Sequence, residues 1–467
     1  MNLAGRPALD RAALAAGTVL VALWLWRCWC IFPLHPWNEL RLQPSFLLAD
    51  GGAVYAGPAG GPATTWIYGP LPVLLFWPAT WAGDAASALL AGAALNLLYV
   101  VGPLVAFCVA APGEAGAGQR ILAVLAALAL WPGSSLHYLQ ADNLAVSFGL
   151  LGMTALLRGG ARAGAGWIAA ACAVAAFACK QTSLEFAAAQ VIWSAWVHGP
   201  RAAGRQVLRL AVLGFAGAGA AIAAWGLEPL AFHLVTLPGR LPWAEHPGRQ
   251  LMAFFPWLLA HVGAPGLVCL VWRRRIWRRD GPLLLPALLW LLSLPAGLAA
   301  LMKIGGTINS LHGLLYLLPA LLVAPPLAAG RRRAAVATFA VLVGATGYRL
   351  AAPAVQVWRP LTAHLAQGDF LAREFPGQIW FPWNPLIARY REHRHDHTED
   401  GLVIRQLAAR AVPPNQLRRH LPPRWHIVAL PSAESNWGLA LSLSPAERSP
   451  TVVGLWTVHS WPESSPP

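Results

Sequence analysis

The chain has 467 residues, 57% of them hydrophobic and only 11% charged. Soluble proteins carry charge on about a quarter of their residues, so this composition excludes an ordinary soluble fold and marks a polytopic membrane protein. Basic residues outnumber acidic ones by 34 to 19, a net charge of +15. The arginines punctuate apolar stretches instead of forming one surface, which fits positive-inside loops and argues against a nucleic-acid partner.

Arg6 and Arg11 precede a first apolar span, residues 12–32, which closes on Trp26-Arg27-Cys28-Trp29-Cys30. It is long for a cleavable signal and lacks a small-residue cleavage site, so it reads as an uncleaved anchor with a cytoplasmic N-terminus. Further spans are expected at 84–110, 120–136, 142–157, 164–180, 183–198, 207–227, 251–272, 282–302, 309–328 and 334–350. That makes about eleven helices. Arginine-rich connections at Glu114–Arg120, Arg158–Arg162, Arg201–Arg209, Arg273–Asp280 and Arg331–Arg333 then fall inside. Residues 66–82 are apolar but short and hold Pro70, Pro72 and Pro78, so they read as interfacial or re-entrant. Residues 164–198 divide at Lys180–Glu185; a single helix there would reverse the side of every later arginine cluster.

From about residue 351 polarity rises, and alternation at Trp425–Leu430 and Thr451–Val458 reads as strands. The expected architecture is an α-helical membrane domain over 1–350, with a first outer loop at 33–68, and a small soluble extracytoplasmic α+β domain over 351–467. The six cysteines lie in or beside spans and read as packing residues, without a disulfide framework or zinc spacing.

Only two basic residues are lysines, Lys180 and Lys303, and the topology puts both on the outer face, opposite the arginines. Snorkelling accounts for a cation at a helix end, but not for lysine in a chain that otherwise uses arginine. The first outer loop reads Trp37-Asn38-Glu39-Leu40-Arg41, then Asp50-Gly51-Gly52-Ala53-Val54-Tyr55, then Tyr68-Gly69-Pro70-Leu71-Pro72. Gln140-Ala141-Asp142-Asn143, Lys180-Gln181-Thr182 and Lys303-Ile304-Gly305-Gly306-Thr307-Ile308-Asn309 follow in order. This order resembles the GT-C superfamily, integral-membrane glycosyltransferases that take sugars from polyprenyl-phosphate carriers. The resemblance implies a GT-C-like membrane fold and transfer of a hexosyl or pentosyl group to a hydroxyl of a lipid, glycan or protein. It also implies an extracytoplasmic reaction at the plasma or inner membrane, and an acidic base in the first outer loop. The matching residue is Glu39, although Asn38-Glu39 stands where the superfamily often has Asp or an Asp-Glu pair.

A phosphate-linked leaving group departs as a stable anion, so the site needs a base for the acceptor hydroxyl and cations for the phosphate. Glu39 can supply the first; Lys180, Lys303, Arg41 and Arg240 can supply the second. Tyr55, Tyr68, Gln181, Asn309 and His312 are candidate substrate contacts, and Asp50 and Asp142 candidate contacts to acceptor or metal. A turn explains Asp50 equally well, helix caps explain Asp142 and Asn309, and an interhelical hydrogen bond explains His312. Glu39, Asp50 and Asp142 offer oxygens suited to Mg²⁺ or Mn²⁺, but no spacing requires a metal and no cofactor is assigned. His393, His395 and His397 alternate along a charged segment that reads as solvated. The competing function is a transporter or flippase of a lipid-linked glycan or other anionic solute. The charges gather at one face, no internal repeat is evident, and the first loop is long, all of which favour the enzyme.

Overall fold

The computed structural model describes residues 36–64, 66–110, 115–131, 136, 138–160, 162–279, 281–323, 361–431 and 450–461, with isolated positions between 11 and 23. The expected first span lies largely outside these residues, and the expected last span with Arg331–Arg333 wholly so. Apolar stretches become helices because a bilayer leaves backbone polar groups no partner beyond their own segment. The longer helices of this region are α1 (Pro36–Ala49), α2 (Ala85–Ala110), α3 (Ala117–Ala129), α4 (Ala141–Gly159) and α5 (Ala163–Cys179). They continue as α6 (Glu185–His198), α7 (Pro200–Trp225), α8 (Leu284–Leu301) and α9 (Leu314–Val323).

Among the described residues, α2, α7 and α8 are long and apolar enough to cross a membrane. With 26 residues each, α2 and α7 are about 39 Å long, against a hydrocarbon core of about 30 Å. Val207, Leu208, Val212 and Phe215 of α7 are exposed, as a lipid-facing helix requires. The chain is an integral membrane protein.

Small residues let the helices approach closely. Gly149 of α4 lies against the Phe186 ring, and Gly152 against Cys172 and the Ala169 carbonyl of α5. Gln190 donates to the Ala169 carbonyl at 2.8 Å and accepts from Gln206 at 2.9 Å, tying α5, α6 and α7 together through a buried polar link.

The break at Lys180–Glu185 is present: α5 ends at Cys179 and α6 begins at Glu185. Residues 66–82 contain only a short helix, Leu71–Leu75, and a 3-10 turn, Trp77–Trp81. Three expected boundaries differ. Helix α7 starts at Pro200, so Arg201, Arg205 and Arg209 stand on its first turns and not in a loop; arginine is a good helix former whose long stem lets its charge reach water. Residues 251–272 are not one straight span, because Pro247–Ala253 and Phe255–Val271 meet at 73° around Phe254-Phe255-Pro256. Helix α9 starts at Leu314, since Gly305 (φ +76°), Gly306 and Gly313 favour a loop before it.

The tail contains α10 (Leu361–Glu374), α11 (Pro385–Glu392), α12 (Glu399–Leu407) and the strands β1 (Ile379–Trp380), β2 (Ile427–Pro431), β3 (Thr451–Val453) and β4 (Trp456–Ser460). The sheet order is β1-β2-β4-β3, with β1 parallel to β2 and the other pairs antiparallel. Thr451–Val458 is therefore two strands, folded back at Gly454 (φ +61°). Leu40 and Ala63 of the first loop share one buried cluster with Trp380, Trp383, Val428 and Trp461 of the tail.

The bundle has two chemically distinct ends. Arg120 reaches the carbonyls closing α2, Arg158 closes α4, and Arg209 lies over Trp167 near the start of α5. Asn38, Gly69, Asp142, Lys180 and Asn309 meet at the opposite end.

Candidate active site

Backbone and amide hydrogen bonds place the pieces of this end. Asn38 Oδ1 accepts from the Leu139 amide at 3.0 Å, joining α1 to the connection before α4. Asn143 accepts from Trp131 Nε1 at 2.9 Å and donates to Asn96 at 3.2 Å, which fixes the first turn of α4 around Asp142. The Gly69 amide donates to the Cys179 carbonyl at 3.2 Å. A Cβ on Gly69 would overlap the Ala178 carbonyl, so glycine is what permits this close approach to the end of α5. Gln181 Nε2 donates to the carbonyls of Ile67 (2.8 Å) and Leu234 (3.2 Å), bracing the same loop.

These braces converge on a polar cluster. Asp142, only 3% exposed, forms an ion pair with Lys180, and its other oxygen accepts from Asn309 Nδ2 at 3.2 Å. Beside it Glu185 Oε1 lies 3.0 Å from His312 Nε2, both groups buried. The Lys180 charge also acts on Glu185 and Tyr68. Across Tyr68 lies Arg41, its guanidinium 5.2 Å from the Trp37 ring centre and 5.2 Å from that of Tyr68. Arg41 is buried, forms no ion pair with a described carboxylate, and leaves Nη1 without a hydrogen-bond partner. A desolvated guanidinium between two aromatic faces, with an unpartnered N–H, has the chemistry to take an anion.

Other candidate residues are placed elsewhere. Glu39, expected to face substrate as the base, is sealed under the tail. It is 0% exposed; Oε1 accepts from Asn384 Nδ2 at 2.6 Å and Oε2 from the Leu386 amide at 3.2 Å. Its carboxyl thus caps the start of α11, and burial pushes its pKa up to about 8 despite these hydrogen bonds. Asp50 accepts two 3.0 Å hydrogen bonds from Arg389 and lies 2.9 Å from His395. The Arg389 bonds hold its carboxyl below the usual range. Tyr55 is buried and spends its hydroxyl on the Tyr68 carbonyl at 2.7 Å. Lys303 donates to the Pro238 carbonyl at 3.0 Å and lies over Trp243, so the two lysines do not share a partner. Arg240 is exposed beside that segment. The three tail histidines do not form a solvated row: His397 is fully buried and accepts from the Ala63 amide at 2.6 Å, while His395 faces Asp50. Glu39, Asp50 and Asp142 are likewise engaged by separate partners.

Two features of the site lie beyond the sequence reading: Glu185 as the partner of His312, and the tail as the partner of Glu39. Glu185 carries a sequence signal, an acid opening an apolar helix, since an ionisable group there needs a partner or a role. The Asn384–Glu39 pairing joins positions 345 residues apart and has no local signal.

No protein-family model matches the sequence, and no curated protein matches it significantly. Solved structures do match. ArnT from Cupriavidus metallidurans bound to undecaprenyl phosphate superposes with a TM-score of 0.58 over 95% of this chain and 97% of its own, at 13% identity. The same enzyme in the apo state gives 0.56 over 96% and 98%, at 14% identity. The chain shares the fold of these ArnT structures. The likeness runs through bundle and tail alike.

Proposed function

We propose that this protein is an integral-membrane glycosyltransferase that passes a sugar from a polyprenyl-phosphate-linked donor to a hydroxyl of a lipid, glycan or protein acceptor. The observation that carries the reading is Arg41: buried, stacked between Trp37 and Tyr68, without a described carboxylate partner, and linked to Lys180 through Tyr68. In a low-dielectric site two such cations favour the charge that develops on a departing phosphate. An ArnT structure of the same fold is bound to undecaprenyl phosphate, which supports a lipid phosphate as the anion.

Arg41 and Lys180 would hold the phosphate, with the lipid tail in the bilayer and the sugar towards the space between bundle and tail. Asp142, its other oxygen held by Asn309, orients Lys180 by occupying one side of its ammonium group. The arginines at the opposite end support an extracytoplasmic position for the site by the positive-inside rule. Purified protein in liposomes, supplied with a radiolabelled polyprenyl-phosphate sugar and a mixed acceptor extract, should form labelled product. Movement of the donor across the bilayer without any product would replace this reading with a transporter.

A further inference from the structure

We infer that His312, held by Glu185, is the base that takes the proton from the acceptor hydroxyl, a step that rests on the glycosyltransferase reading above. The two first-loop and α4 carboxylates are committed elsewhere. Both oxygens of Glu39 accept from the tail, and Asp142 is shared between Lys180 and Asn309. His312 is different. Its Nε2 faces Glu185 Oε1 at 3.0 Å, a contact that favours the tautomer with the proton on Nε2 and the lone pair on Nδ1. That Nδ1 is buried and has no partner, and His312 itself is only 8% exposed. The hydroxyl of Tyr316, one turn further on, is also buried without a partner. A purely structural histidine–carboxylate pair gains nothing from leaving both atoms unsatisfied, whereas an acceptor hydroxyl would complete them.

The surroundings suit that role. His312 lies three residues after Asn309, which contacts Asp142 and so joins His312 to the Lys180 cluster. The titratable and charged groups facing it are Glu185 from α6, Tyr316 from α9, His261 from the bent 247–271 segment, and the Asp142–Lys180 pair next to Glu185. In the reaction the acceptor O–H proton moves to Nδ1 as the acceptor oxygen bonds to the anomeric carbon. The bond from that carbon to the phosphate oxygen breaks, and its electron pair leaves with the polyprenyl phosphate towards Arg41 and Lys180. Glu185 balances the imidazolium, which returns its proton to water after product departs.

The test uses full-length protein in liposomes, with donor binding and transfer measured separately. His312→Gln should lower kcat by about 10²–10⁴-fold while the affinity for polyprenyl phosphate stays within about threefold of wild type. Glu185→Gln should lower kcat less and leave the affinity for polyprenyl phosphate unchanged, because the amide still holds the ring but no longer balances the imidazolium formed in the reaction. A merely structural pair would not confine its effect to kcat. Imidazole added to His312→Ala should restore part of the transfer, which covers the case in which the glutamine variant misfolds. A kcat near wild type for His312→Gln, or an unchanged kcat in Glu185→Gln, overturns the assignment. Absence of transfer by wild type would overturn the parent reading itself, a result distinct from loss confined to the variants.

Discussion

Replacing Glu39 separates two roles that predict opposite results. As a base, Glu39 would lose its function in Glu39→Gln; as the cap that docks α11, it would keep it. Glu39→Ala removes the acceptor from two buried donors, Asn384 Nδ2 and the Leu386 amide. Each orphaned donor costs about 1–3 kcal/mol, so tail docking should weaken by about 2–6 kcal/mol. At 1.4 kcal/mol per tenfold, the low end is about thirtyfold in the opening equilibrium of α11, readable as faster amide hydrogen exchange over 385–392. Glutamine can keep both bonds if the Asn384 amide turns over. Its Oε1 then accepts from Leu386, and its amide donates to Asn384 Oδ1, which has no partner now. Docking should stay within about 1 kcal/mol of wild type, with transfer retained. The pH dependence has a definite sign. The Glu39 pKa is raised from 4.5 to about 8, so the folded state holds this proton more tightly than the unfolded one. Its contribution is full below pH 4.5 and is lost as pH rises towards 8, at up to about 1.4 kcal/mol per unit. Glu39→Gln should flatten that slope. Loss of transfer in Glu39→Gln with α11 still protected would refute this account and restore Glu39 as the base.

Three further outcomes follow from neighbouring contacts. Lys180→Met should raise the donor KM and lower kcat together, by at least about tenfold in kcat/KM for a lost charge contact; unchanged steady-state kinetics would return Lys180 to a snorkelling role. Asp50→Asn removes a partly exposed two-bond ion pair with Arg389, so tail docking should change by no more than about 1 kcal/mol, and less in high salt; a larger loss by hydrogen exchange would mean the pair acts beyond its own geometry. Gly69→Ala should destabilise the site loop by about 1–3 kcal/mol, because the new methyl meets the Ala178 carbonyl backbone. A thermal unfolding midpoint equal to wild type would contradict that contact.

The membrane helices were legible where an apolar run stops at a charge or glycine, as at α2, α5 and α8. Boundaries slipped where local chemistry outweighed the pattern: arginine tolerated inside α7, proline bending the 251–272 segment, glycine delaying α9. The shared end of Lys180, Asp142 and Asn309 followed from counting charges, because parity alone puts them together. Which atoms pair did not. The Lys180–Asp142 pair joins positions 38 residues apart, and the burial of Glu39 depends on a tail whose packing leaves no periodic mark on the first loop. A first-loop acid in sequence looks the same whether it meets a substrate or a helix N-terminus.

The most direct measurement is a structure of the protein with a polyprenyl phosphate bound. The account predicts phosphate oxygens within hydrogen-bond distance of both Arg41 and Lys180, at about 2.7–3.2 Å, with His312 on the sugar side. A phosphate held instead by Lys303 and Arg240, or by the arginines at the opposite end of the bundle, would contradict it.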